Sequence, residues 1–202
     1  MTKYDLIAFY YDFLLGFFEK KTLRPLRRRF VPQINGKTLD IAIGTGNNIE
    51  FYPADSDISL VDSSLQMLKL AERKADRFNR KTSLSFVRAV LESLPFQDES
   101  FDSILSIDVF CSVDKPEKAL NEVYRVLKYG GKAIFVEHMK TGRKLQDLFL
   151  GFITLFTLLI ASSSMIRPID RYIRESEFEI LSTEKLSGSF RYYLCTKKEE
   201  PH

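Results

Sequence analysis

The stretch Thr38-Leu39-Asp40-Ile41-Ala42-Ile43-Gly44-Thr45-Gly46-Asn47-Asn48 decides the fold. An apolar, β-branched run ends in two closely spaced glycines, the pattern of a buried strand that stops in a tight loop. Gly44 and Gly46 carry no Cβ, so the backbone can turn sharply there and come close to a ligand. Reading outward, the next apolar run, Ser59-Leu60-Val61, closes on Asp62, 22 residues beyond Asp40. A strand before the loop, a helix expected after it, and an acid ending the second strand describe a nucleoside site. The acid can accept hydrogen bonds from both ribose hydroxyls.

The chemistry of the loop narrows the nucleoside. A dinucleotide fingerprint needs a third glycine where Ile49 stands, and no lysine follows to make a P-loop. Asp40 lies four residues before Gly44, where its carboxylate would repel a pyrophosphate and suit an ammonium or sulfonium group. The expected ligand is a nucleoside with a cationic amino-acid tail.

The rest of the chain fits one alternating α/β domain. Apolar runs at 38–43, 58–61, 84–87, 103–107 and 132–137 read as strands, with helical patterns at 64–78 and 115–127 between them. This alternation predicts a doubly wound, mostly parallel sheet with right-handed crossovers. Runs at 179–186 and 190–196, separated by Ser187-Gly188-Ser189, predict a closing hairpin after a helix at 167–176. Residues 4–33 read as helical, with Pro25 opening a new helix or bending the segment.

Composition sets the outer limits. The 202 residues suit one domain, and 45% hydrophobic with 28% charged residues is an ordinary globular balance. Two cysteines, Cys111 and Cys195, and two histidines, His138 and His202, are too few for a closed structural zinc site, so no metal is expected. Cys111 reads as a small core residue. The net charge of +3 divides into +5 over residues 1–37 and −2 over the remainder. The excess comes from Lys20, Lys21, Arg24, Arg27, Arg28 and Arg29, a local patch rather than a basic protein. No signal peptide is readable. Residues 148–166 are uncharged and 148–161 strongly apolar, but a spanning helix would leave the closing hairpin on the far side of a bilayer. Residues 141–166 therefore read as a lid or interfacial helix.

Four ordered motifs resemble the class I S-adenosylmethionine-dependent methyltransferases of the ubiquinone/menaquinone type. Leu39 to Gly46 match Leu-Asp-x-Gly-x-Gly-Thr-Gly except for Ala42, and Val61-Asp62-Ser63-Ser64 with Met67-Leu68 match the second strand and its helix. Leu94-Pro95-Phe96-Gln97-Asp98-Glu99-Ser100-Phe101-Asp102 and Arg125-Val126-Leu127-Lys128-Tyr129-Gly130-Gly131 match the third and fourth, the latter with Tyr129 in place of proline. Glu50-Phe51-Tyr52-Pro53, Phe110-Cys111-Ser112-Val113 and Val136-Glu137-His138-Met139 look like alkyl-thiol methyltransferases. Tyr10-Tyr11-Asp12-Phe13 looks like phospholipid N-methyltransferases and quinone-ring methyltransferases.

The resemblance implies a Rossmann-like seven-stranded sheet with a C-terminal antiparallel hairpin strand. The single methyltransferase domain, 1–202, divides into an N-terminal helical cap (1–36), a cofactor-binding core (37–140), an apolar lid (141–166) and a final helix and hairpin (167–202). It implies S-adenosylmethionine as cofactor, with Asp40 near the ammonium group, and Ala42, Gly44, Thr45 and Gly46 along the ribose and methionine. Asp62 would hold the ribose hydroxyls, Ser63, Met67, Val90 and Leu91 would frame adenine, and Ile107 would lie under the methionine chain. Val90 stands where the family often has an acid for the adenine amino group. Asp108, Glu137 and His138 follow strand ends and are the candidates for accepting a proton, with His138 also readable as a structural residue. Tyr11 is the candidate acceptor contact.

The expected substrate is a lipophilic small molecule: a lipid headgroup, quinone or thiol. The Arg24–Arg29 patch adds an anionic membrane surface, and the expected location is cytoplasmic, peripheral on the inner membrane face. Nucleic acid is not expected, because the basic patch is small and no Asn-Pro-Pro-Tyr-type motif follows Ile107. An RNA or protein methyltransferase, and a non-catalytic nucleoside-binding scaffold of the same fold, are the competing functions. Oligomeric state is not encoded legibly.

Overall fold

The computed structural model describes residues 4, 5, 8, 16–79, 84–138, 168–186 and 189–198. Tyr11, the 141–166 lid and Ser187-Gly188 of the hairpin loop fall outside the described residues.

Seven strands form one sheet: β1 (Lys37–Ile41), β2 (Asp57–Asp62), β3 (Leu84–Arg88), β4 (Phe101–Ile107), β5 (Leu127–His138), β6 (Glu179–Lys185) and β7 (Phe190–Thr196). Their order is β3-β2-β1-β4-β5-β7-β6. The first five are parallel, and β7 runs antiparallel to both β5 and β6. The order reverses between β1 and β4, and in such sheets ligands bind beyond the carboxyl ends of the strands at that point.

The helices are short. Residues 19–23 form a π-helical turn that passes into α1 (Arg24–Phe30), with Pro25 in its first turn, and a 3-10 turn at Val31–Gln33 follows. Pro25 thus lies inside one continuous helical run from 16 to 30, and the π-helical turn just before it accommodates its missing N–H. α2 (Leu65–Arg77) starts where the Ser64 hydroxyl accepts the Met67 N–H at 3.2 Å, a side-chain N-cap. α3 (Pro116–Val126) and α4 (Ile169–Glu175) complete the set.

Two apolar cores cover the two faces of the sheet. Leu26 and Phe30 of α1 and Leu68, Ala71 and Ala75 of α2 pack with Ile58, Leu105 and Val136. Ala119, Leu120 and Val123 of α3 and Ile169 and Ile173 of α4 pack with Leu39, Ile104 and Phe135. A parallel sheet buried on both sides gives the near-continuous apolar strands seen in the sequence.

Three local expectations are corrected. β1 stops at Ile41 rather than residue 43, because Ala42 enters the left-handed region at φ 49°. No helix follows the glycine loop; a single 3-10 turn, Ile49–Phe51, comes before Pro53. β5 begins at Leu127, five residues early. The register jumps from Phe101 opposite Leu127 to Ser103 opposite Lys132, and Gly130 (φ 68°) donates its N–H to the Lys197 carbonyl at 2.9 Å.

Two of the sequence motifs meet in a fold-stabilising clamp. The Arg125 guanidinium donates to Glu122 (2.8 Å), Asp98 (2.7 Å), and the Phe96 and Leu94 carbonyls (2.8 and 3.1 Å), while Glu122 accepts the Leu94 N–H at 2.8 Å. The Leu94–Asp98 segment is thereby pinned to α3, away from the cleft.

Candidate active site

The cleft opens beyond β1 and β4, where the topology places it. Ile41, Ala42, Ile43, Gly44 and Thr45 form one wall, Ile107 and Asp108 another, and Glu19, Leu23 and Arg27 of the N-terminal helices a third. The cleft is open to solvent on one side, and its ≈ 560 Å³ of non-atom space includes that open mouth. The sequence pointed to the first two walls and missed the third.

The two glycines of the loop do different work. Both have positive φ, 58° at Gly44 and 82° at Gly46. A Cβ on Gly44 would meet nothing within 4 Å, so the loop presents open backbone to the cleft. A Cβ on Gly46 would lie 2.7 Å from Ile49 Cδ1 and 3.0 Å from the Ala71 backbone. Gly46 is needed for the loop to pack on α2. Ala42 does more than narrow the space near the methionine end, since its left-handed φ is costly for any residue with a Cβ.

Asp62 ties the loop to the second strand. Its carboxylate accepts the Gly44 N–H at 2.9 Å and the Ser64 N–H at 2.8 Å. Burial pushes its pKa up, while those two N–H groups pull it back. Each oxygen can accept further bonds, so the loop contact leaves room for ribose hydroxyls. Asp40 is fully buried. Its Oδ2 accepts from Asn48 at 2.7 Å and from the Tyr52 hydroxyl, while Oδ1 has no partner among the described residues. Burial raises its pKa to about 6 against the opposing bonds from Tyr52 and Asn48 and the charge of Arg27. Arg27, itself buried, donates to Asn48 Oδ1 at 2.6 Å and to Glu19 at 2.8 Å, which makes a polar chain from Glu19 through to Asp40.

The Arg24–Arg29 patch is mostly paired within the chain. Arg24 meets Glu50 at 2.5 Å and Arg29 meets Glu184 at 2.6 Å, in addition to the Arg27–Glu19 pair. Lys20, Lys21, Arg28 and Phe17 stay exposed.

The adenine-side residues separate. Val90 is half exposed, whereas Leu91 and Met67 are buried, Leu91 in the core with Ile41 and Val61. The Val90 carbonyl accepts the Ser93 N–H at 3.1 Å. Ser63 is partly exposed beside Asp62 and Thr45 is buried, its hydroxyl accepting from Lys74 at 3.3 Å.

At the acceptor side, register brings Asp108, Glu137 and His138 together. The Asp108 N–H reaches the Val136 carbonyl at 2.9 Å. Glu137, fully buried, accepts from Ser106 Oγ (2.7 Å), the Val109 N–H (3.0 Å) and the Phe110 N–H (3.1 Å). Burial raises its pKa to about 8. With these partners Glu137 anchors the 108–110 turn. His138 Nδ1 stands 3.5 Å from Asp108 Oδ1, and neither ring nitrogen makes a hydrogen bond among the described residues.

Tyr4 and Asp5 close over this end, which the sequence did not reveal. The Tyr4 phenol is hydrogen-bonded to Ser112 near Cys111, Asp108 and Asp62, and burial raises its pKa. Asp5 accepts from Ser64 Oγ at 2.6 Å and the Gln66 N–H at 3.2 Å. Asp108 and Glu19 line the cleft directly, Asp40 is buried in β1 beneath it, and Asp62 holds the Gly44 N–H at its edge.

Residues 39–135 match a family model described as a methyltransferase domain. A demethylmenaquinone methyltransferase of Renibacterium salmoninarum is 34% identical over 139 residues, 66% of this chain and 56% of the relative. A phosphatidylethanolamine N-methyltransferase of Cereibacter sphaeroides is 28% identical over 131 residues, 63% of each. The match thus spans less than two thirds of these two relatives. A crystal structure of an S-adenosylmethionine-dependent methyltransferase from Thermotoga maritima superposes with a TM-score of 0.73 at 22% identity, covering 97% of this chain and 99% of the other. The open backbone at Gly44, the buried unpartnered oxygen of Asp40 and the Asp62 carboxylate at the end of β2 fit the cationic nucleoside used by such enzymes. Residues 39–135 are thus similar to a methyltransferase domain, on the fold that the Thermotoga enzyme shares.

Proposed function

We propose that the protein transfers a methyl group from S-adenosylmethionine to a lipophilic or amphipathic small molecule: a quinone, a lipid headgroup or a thiol. The observation that carries this reading is the acidic cleft at the β1/β4 reversal, open at Gly44 and edged by Asp62. Curated relatives named for a quinone and a phospholipid support the acceptor class.

The bound cofactor supplies an already activated methyl on a sulfonium, so the protein has to align and desolvate more than activate. In this reading Asp62 holds the ribose hydroxyls, and the Gly44 backbone lets the ligand come close. Asp40, through its unpartnered Oδ1, sets the negative potential for the ammonium group. Ile107 lies beneath the methionine chain, while Ser63 and Val90 border adenine. Residues 37–140 carry the cofactor, and the 1–36 cap supplies Glu19, Leu23 and Arg27 as the wall beside the methionine end. Asp108 and His138 stand where an acceptor proton would leave, His138 able to take it and Asp108 to stabilise the resulting imidazolium. Phe17, exposed beside Lys20, Lys21 and Arg28, supports a peripheral contact with an anionic membrane. Among the described residues no helix is long and apolar enough to cross a membrane.

The test is transfer of labelled methyl from S-adenosylmethionine to demethylmenaquinol, phosphatidylethanolamine vesicles and a long-chain alkyl thiol. Label in the organic phase with at least one acceptor is expected. Label found only in RNA or protein would overturn the acceptor class.

A further inference from the structure

We propose that Asp108, Cys111 and His138 form a zinc site with three protein ligands and one coordination position left for a water or an incoming ligand. One donor atom from each residue lies within 4.8 Å of the others. The three come from one turn and one neighbouring strand. Asp108 and Cys111 are three residues apart in the turn after β4, and His138 ends β5.

The geometry is close to that of a bound ion. With zinc–sulfur at about 2.3 Å and zinc–nitrogen and zinc–oxygen near 2.1 Å, tetrahedral angles place donor pairs roughly 3.4–3.6 Å apart. His138 Nδ1 and Asp108 Oδ1 are already 3.5 Å apart, and Cys111 Sγ is 4.0 Å from Asp108 Oδ1. Side-chain rotation of a few tenths of an ångström closes the second gap, and the third, Cys111 to His138 within 4.8 Å, needs up to about 1.2 Å of movement at the Cys111 side chain.

The independent observation is His138. Its side chain is 1% exposed, yet neither ring nitrogen finds a hydrogen-bond partner among the described residues. Buried polar atoms without partners are costly, and an imidazole nitrogen aimed at a carboxylate and a thiol is satisfied by a cation between them. The turn that carries the other two ligands is fixed. Asp108 has φ 60°, and Glu137 holds the Val109 and Phe110 N–H groups. A thiolate and a carboxylate balance the two charges of zinc, so the loaded site is neutral, as a largely buried position requires. Asp108 also lines the cleft, which leaves the fourth position facing it. The pairing of one cysteine, one histidine and one aspartate favours zinc over calcium or magnesium, which take oxygen ligands. Two cysteines and two histidines are too few for a closed four-ligand site, but a site with an open position needs only the three donors that meet here.

With zinc held by His138 and Asp108 the pair no longer takes the acceptor's proton, so the loaded site replaces that role rather than adding to it, and the test needs neither acceptor nor methyl transfer. The full-length protein is stripped with a chelator, then titrated with zinc and, separately, with cobalt. One equivalent of bound metal is expected, with the visible bands of tetrahedral cobalt and a thiolate-to-cobalt charge-transfer band. Cys111→Ser and His138→Gln, checked for native circular dichroism, are expected to weaken binding roughly 100-fold or more, whereas Cys195→Ala keeps the stoichiometry. On the unmodified chain, zinc is expected to protect Cys111 from alkylation, read by mass spectrometry. Absence of stoichiometric binding, or binding that leaves the Cys111 alkylation rate unchanged, would overturn the site.

Discussion

Replacing each loop glycine by alanine separates a ligand contact from a packing contact. At Gly46 the added Cβ meets Ile49 Cδ1 at 2.7 Å and the Ala71 backbone at 3.0 Å, with φ at 82°. A left-handed alanine costs about 1–2 kcal/mol, and overpacking against helix backbone adds about 1–3 kcal/mol. The lower entropy of the unfolded alanine chain makes both variants less stable than glycine by about 0.4–1 kcal/mol less than these figures suggest. Gly46→Ala should therefore lose about 2–4 kcal/mol, a large share of a typical 5–15 kcal/mol. Gly44→Ala carries only the left-handed strain, about 1 kcal/mol net, because its Cβ enters open space. That space is where the nucleoside should lie, so Gly44→Ala should weaken S-adenosylhomocysteine binding roughly 10- to 100-fold, from about 1–3 kcal/mol of steric conflict. Urea unfolding followed by circular dichroism reads the first quantity and titration calorimetry the second. The assignment is refuted if Gly46→Ala keeps its stability but loses binding while Gly44→Ala does the reverse.

Other consequences follow from the same contacts. Asp62→Ala should weaken S-adenosylhomocysteine by about 1.5–3 kcal/mol, roughly 10- to 150-fold, and also lower stability, because the Gly44 and Ser64 N–H groups lose their acceptor; unchanged affinity in calorimetry would remove the ribose from this end of β2. The Asp40 carboxyl titrates near 6 when folded against 3.8 ordinarily, so the folded state binds the extra proton. Its stabilising effect is complete below about 3.8 and is lost as pH climbs through about 6. Urea midpoints from pH 4 to 7 should show Asp40→Asn gaining on the parent as pH rises, and a constant difference would contradict this. Arg125→Leu should lower stability by about 1–3 kcal/mol by freeing Leu94–Asp98 from α3, with S-adenosylhomocysteine affinity little changed.

The sheet was readable because its signals are local. Apolar runs of strand length, their spacing, and the Ser-Gly-Ser break before 190–196 mark the strands and the closing hairpin, whereas the seven-stranded sheet with its antiparallel strand was implied by the family resemblance and the strand order is seen only in the structure. Asp62 at the end of β2 is likewise a local signal, fixed by distance along the chain from Asp40. The third wall of the cleft was not readable. Arg27 reaches Asn48, 21 residues away, and a run of arginines reads as a solvated face until its carboxylate partners Glu19, Glu50 and Glu184 are known. Tyr4 stood in an apolar stripe with nothing to tell it from Phe9 or Tyr10, and its partner Ser112 is more than a hundred residues on. The missing helix after the glycine loop has a local cause in the sequence, Pro53, two residues after the 3-10 turn. The juxtaposition of Asp108, Cys111 and His138 depends on the β4–β5 register, with Ile107 opposite Val136, which no single segment encodes.

Calorimetric titration of the purified protein with S-adenosylhomocysteine tests the central claim most directly. The acidic cleft at the β1/β4 reversal predicts one site with micromolar affinity, weakened by Gly44→Ala and Asp62→Ala. No binding at millimolar concentration, or binding indifferent to both substitutions, would contradict the placement of the cofactor in this cleft.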